Sequence, residues 1–155
     1  MKIALGSRAG VPDHISKAAF SIASGIALFG AAIHWIAPFI GYDWYAFLGS
    51  PKWVLESARQ QTLAAPAGAV AIGGLMGTCA LYSLSGAAVI PRLPLLRLGI
   101  VTIALICLLR GLVLLPYLVL VPGTFTPFNV IGSAIWFIAG LGFATGAVRR
   151  WQQLQ

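Results

Sequence analysis

The sequence predicts an all-helical integral membrane protein, a four-helix bundle with both ends on the cytoplasmic side. Three observations lead there: a composition foreign to water, four apolar runs each long enough to cross a bilayer, and cations gathered at alternate ends of those runs. Of 155 residues, 59% are hydrophobic and 8% charged, where a soluble domain carries about a quarter charged. The 10 Lys and Arg against 3 acids give a formal +7, which in a soluble chain would raise nucleic acid as a partner. Here the cations stand at the edges of apolar runs, and no basic stripe interleaves with aromatics. The basicity therefore sets topology, and the expected partners are membrane lipids and not nucleic acid.

Residues 1–155 form a single membrane domain. Met1 to Ser16, with Gly6, Gly10, Pro12 and Asp13, is too polar and broken to insert and makes a short cytoplasmic lead. The first apolar run, residues 18–40, follows Lys2, Arg8 and Lys17 and so resembles a signal peptide. It is longer than a secretory apolar region and three more runs follow, so it reads as a retained helix, able to cross ~30 Å of hydrocarbon. Pro38 and Gly41 end it.

Residues 41–61, GYDWYAFLGSPKWVLESARQQ, form an amphipathic interfacial segment between the first two spans. Trp44, Tyr45 and Trp53 suit the headgroup level. Ser50 and Pro51 read as the N-cap and first position of a short helix, with Trp53, Val54 and Ser57 on one side. The second span, residues 62–86, is made mostly of Ala and Gly. Its Gly73-x-x-x-Gly77 spacing allows close helix packing, within the chain or between chains. The basic turn IPRLPLLR leads to a third span over 98–121, and the uncharged VPGTFTPFN to a fourth over 128–148. Lys2, Arg8, Lys17, Arg92, Arg97, Arg149 and Arg150 then share one side. Lys52 and Arg59 on the other are offset by Asp43 and Glu56, which orients the chain N-in and C-in.

Arg110, in LICLLRGLVLLP, lies ~20 Å into the third span by helical rise. An arginine at that depth costs about 2.5–3.5 kcal/mol on insertion scales, so it is expected to face the interior with a partner, for which Glu56 is preferred. Such a pair either clamps the interfacial segment or, left open, holds an anionic group; snorkelling is the third reading. His34, near the outer end of the first span, is an interfacial hydrogen-bonding residue or part of a shared polar pocket. That pocket would join His34, Asp43, Tyr45, Glu56, Arg59 and Arg110 as ligand-binding residues.

The 2 cysteines, Cys79 and Cys107, sit in separate apolar runs and read as small core residues. No H-E-x-x-H, phosphate-binding Gly loop, activated nucleophile or intramembrane acidic pair occurs. No catalytic residue, metal ligand or cofactor is therefore expected.

The stretches YDWYAFLGSPKWVLESARQQ, ALYSLSGA, RLPLLR and LLRGL resemble those of small bacterial four-helix inner-membrane proteins. The resemblance runs from His34 to about Leu115 and implies architecture and location, with no activity attached. Two functions are expected from these readings. The first is a non-enzymatic subunit that packs with partner membrane proteins or with itself through its small-residue span. The alternative is a small-molecule or lipid-binding protein, transporter or membrane enzyme built around Arg110.

Overall fold

The computed structural model describes residues 13–120 and 127–155; the expected lead up to residue 12 and the start of VPGTFTPFN, residues 121–126, lie outside them. The described residues are helical without strands. In chain order the helices are α1 (Asp13–Ile40), α2 (Tyr42–Phe47), α3 (Lys52–Arg59), α4 (Ala64–Gly86), α5 (Leu96–Leu112), α6 (Leu114–Leu120) and α7 (Pro127–Arg149). Four helical stretches among the described residues, His14–Ile40, Ala64–Gly86, Leu96–Pro116 and Phe128–Arg149, are long and apolar enough to cross a membrane. Large apolar side chains such as Phe29, Leu75, Leu105 and Ile131 point outward, as they do where the surroundings are as apolar as the interior.

α1 runs through Pro38, whose ring nitrogen has no hydrogen to return to the His34 carbonyl. The chain then turns at Gly41, whose φ of 94° is a conformation that glycine adopts freely. α2 folds back on α1, pinned by the Trp44 indole N–H donating to the Ile33 carbonyl at 3.0 Å. α3 starts one residue later than the sequence suggests. Pro51, not Ser50, is its N-cap, with φ −58° and ψ 153° and no side-chain cap bond. Its inner face carries Ser57 with Val54 and Ala58, whereas Trp53 is exposed. Leu63, before α4, has no side chain to cap that helix; the Ser57 hydroxyl caps it from α3, accepting from Ala65 N at 2.8 Å.

Around the bundle the order is α4, α1, α7, α5, with α1 packed most extensively on α4 and α5 on α7. The start of α1, the end of α4, the start of α5 and the end of α7 gather around one core. There Phe20, Ile100 and Phe143 are fully buried with Ala23, Ala87, Leu96 and Ala147. A Cβ on Gly146 would come within 2.5 Å of the Phe20 ring, and one on Gly86 within 2.8 Å, so these glycines are the notches that admit Phe20. The Ser83 hydroxyl donates to the Phe20 carbonyl at 2.7 Å across the helix pair, and Arg150 Nη1 donates to the Gly86 carbonyl at 2.7 Å.

α5 ends at Leu112 although the apolar run continues. Pro116 has no N–H for the Leu112 carbonyl, and it falls in the first turn of α6, where none is needed. α5 and α7 touch backbone to backbone. A Cβ on Gly111 would lie 2.9 Å from Phe137 N, and one on Gly140 2.8 Å from Leu108 N.

Candidate functional site: an apolar cavity beside His34

The other half of the bundle is open. α4 and α5 adjoin over only a short length, and between them and α1, α2 and α7 lies a cavity of about 580 Å³. α1 contributes the wall from Ile26 to His34, and α7 the wall from Phe128 to Phe143. α4 contributes Met76 and Cys79, α5 contributes Cys107, and α2 contributes Trp44, Phe47 and Leu48. Small residues make the room: a Cβ on Gly132 would meet nothing within 4 Å. Aromatic rings gather where α2 meets the start of α7, with Phe47 edge-on to Phe128 at a centroid distance of 5.8 Å and tilted against Trp44 at 5.4 Å.

His34 is the one predicted ligand-binding residue that lines the cavity. Its Nδ1 lies 2.8 Å from the Gly30 carbonyl one turn earlier. A carbonyl only accepts, so Nδ1 carries the hydrogen and Nε2 of the neutral ring is an acceptor. Nε2 has no hydrogen-bond partner among the described residues. The Trp44 indole is committed to Ile33, whereas the Trp136 N–H on the opposite wall has no partner among the described residues. Two residues of the lining, His34 and Trp136, thus carry a ring acceptor and an indole donor that have no partner among the described residues.

The other predicted site residues are dispersed. Arg110 is exposed, not interior: the buried face of α5 runs Leu96, Ile100, Ala104, Cys107, Gly111, and Arg110 falls outside it beside exposed Leu109. Its pairing with Glu56 is absent because α3 packs on α4 and α2 while α5 packs on α7 and α4. Glu56 is exposed and accepts from Gln60 Nε2 at 2.6 Å. Asp43 is exposed. Arg59 Nη2 donates to the Tyr42 hydroxyl at 3.3 Å, with its guanidinium 5.1 Å from that ring. Tyr45 is buried against Ala37, Ala65 and Ala69, its hydroxyl has no partner among the described residues, and burial pushes its pKa up. Gly73 and Gly77 are covered within the chain: the Trp35 indole lies on both, and a Cβ on Gly73 would overlap it.

Sequence reasoning missed the aromatic cluster, Trp136 and the place of the free thiols Cys79 and Cys107 on the cavity wall. One signal was available: Gly30 and His34 are one helical turn apart, which sets the ring over that carbonyl. Among the described residues, no group of three or more His, Cys, Asp or Glu is placed to hold a metal ion. No family model matches the chain, and neither a curated protein nor a solved structure is detectably similar to it, so a functional reading rests on the site itself.

Proposed function

We propose that this chain is a non-enzymatic protein of the bacterial inner membrane, with both termini cytoplasmic, that binds an apolar molecule bearing a hydroxyl group in the cavity beside His34. The cavity's size and lining carry the reading. At about 580 Å³ it is within the range of small-molecule sites, about 300–1,000 Å³, and its walls are hydrocarbon and aromatic. A chamber of that kind excludes charged and sugar-like molecules, whose desolvation it does not repay. It favours a lipid-soluble body, and the fixed tautomer of His34 favours a head that donates a hydrogen bond.

The test compares farnesol with its methyl ether on the full-length protein in lipid nanodiscs. One hydrogen bond contributes about 1–1.5 kcal/mol net, so the alcohol is expected to bind roughly tenfold tighter. His34→Phe should erase that difference while the ether still binds. Gly132→Leu, which adds bulk where a Cβ meets nothing, should exclude both. If neither probe binds the native chain, or if Gly132→Leu binds them unchanged, the reading is wrong.

A second reading is self-association. With Gly73 and Gly77 occupied by Trp35, the free small-residue face of α4 is the exposed stripe Ala67, Ala71, Gly74 and Thr78. A Cβ on Gly74 meets nothing within 4 Å, which leaves room for a second helix. Cysteine crosslinking from Ala71→Cys in native membranes tests it; a protein that stays monomeric there and in nanodiscs is not an oligomer through this face.

A further inference from the structure

A second cavity lies at the packed end, outside the bundle wall, where the start of α5 meets the segment after α7. It is an open groove of about 510 Å³, lined by Arg92 and Arg97 together with Leu95, Leu98, Val101 and Trp151 among others. The Arg97 guanidinium lies over the Trp151 ring, 3.4 Å from its centroid. A stacked guanidinium uses its face and keeps its N–H donors at its edge, in the fork that matches a phosphate. Neither Arg92 nor Arg97 has an ion-pair or hydrogen-bond partner among the described residues; no Asp or Glu lines the groove, and Leu154 and Gln155 complete its lining. Of the three acids, Glu56 and Asp43 are on α3 and α2 at the opposite end of the bundle, and Asp13, the first residue of α1 at this end, does not line the groove. Arg97 is the second residue of the stretch Leu96–Pro116 that is long enough to cross a membrane. It therefore stands at the boundary where headgroup phosphates lie, with Leu98 and Val101 continuing toward the hydrocarbon.

We infer that this groove is a binding site for one anionic phospholipid, its phosphate held by Arg97 and Arg92 and its acyl chain laid against Leu98 and Val101. The site is separate from the cavity beside His34 and does not depend on it. Both parts of a phospholipid are matched: two arginines without an ion-pair partner among the described residues for the headgroup, and a leucine and valine wall for the chain. A net negative headgroup is required, because a zwitterionic one brings its own cation toward two arginines.

Native mass spectrometry of the full-length protein from nanodiscs of equal phosphatidylglycerol and phosphatidylcholine tests the inference. One retained phosphatidylglycerol is expected on the native chain. Arg97→Gln should lower its retention at least tenfold, and Arg97→Lys should restore it only in part, since lysine keeps the charge and loses the fork. Arg149→Gln removes an exposed cation at the same end that does not line the groove and should change nothing. A thermal melt in detergent checks that each variant is folded. The inference is overturned if phosphatidylcholine is retained equally, if Arg149→Gln loses as much lipid as Arg97→Gln, or if a folded Arg97→Gln keeps its lipid. It is also overturned if inorganic phosphate displaces the lipid at millimolar concentration, which would make the site one for a free anion.

Discussion

The two ends of this bundle differ in how completely the space beside their glycines is filled. At the end where α1 begins and α7 finishes, Gly86 and Gly146 are notches filled by Phe20, and Gly142 brings the Ala19 carbonyl to 2.9 Å from where its own Cβ would stand. At the end where α1 meets α2, Gly73 and Gly111 are filled by Trp35 and Phe137, but Gly132 faces open space and the helices leave a cavity of about 580 Å³. A glycine in a membrane helix is thus either a place where another element comes close or a place where nothing does. Stability should reside at the first end and ligand capacity at the second, since dispersion in lipid rewards contact and an unfilled volume forfeits it.

The largest effect expected from this contrast is at the packed end. Phe20→Ala should lower stability by about 3–5 kcal/mol, read by unfolding in detergent, because it empties a fully buried site between two glycines. A loss below about 1 kcal/mol would mean that the packed end is not where stability is held. Ser83→Ala should cost about 1 kcal/mol, near the middle of values for hydrogen bonds between membrane helices. The loss is limited by Ser24, whose buried hydroxyl has no partner among the described residues and sits one turn beyond Phe20, where it can take up the vacated carbonyl. Ser83→Ala should therefore cost more in a Ser24→Ala background, and equal costs in the two backgrounds would deny that rescue.

Tyr45→Phe should act in the opposite direction, raising stability by about 1 kcal/mol, because a buried hydroxyl without a partner carries an uncompensated desolvation cost. A drop in melting temperature would show instead that the hydroxyl is satisfied. Gly132→Leu should change stability least, by within about 0.5 kcal/mol, while removing the cavity's capacity for ligand. If it destabilises the fold as Phe20→Ala does, the two ends are alike and the contrast fails.

Much of the architecture was legible in the sequence, and most of the site was not. Four helices long and apolar enough to cross a membrane could be read from run length alone; among the described residues they are His14–Ile40, Ala64–Gly86, Leu96–Pro116 and Phe128–Arg149, the third interrupted after Leu112. There the run continues while Pro116 forces a break after Leu112. The polar residues were legible as a list but not as a constellation. Asp43 and Tyr45 on α2 and Glu56 and Arg59 on α3 share a packed pair of short helices, but Arg110 is on α5, which packs on α4 and α7, and only His34 reaches the cavity.

The sequence by itself determined that this chain is helical and suited to a membrane, where its helices begin, and that its cations gather near their ends. Only the tertiary structure decided which face of each helix looks inward: that Trp35 covers Gly73 and Gly77, that Arg110 points out, and that Cys79, Cys107 and Trp136 share a chamber with His34. The reason is the solvent. A helix in water shows its inner face as an apolar stripe, but a helix in lipid is apolar all round, so its rotation is set by the fit of side chains into the neighbouring helix.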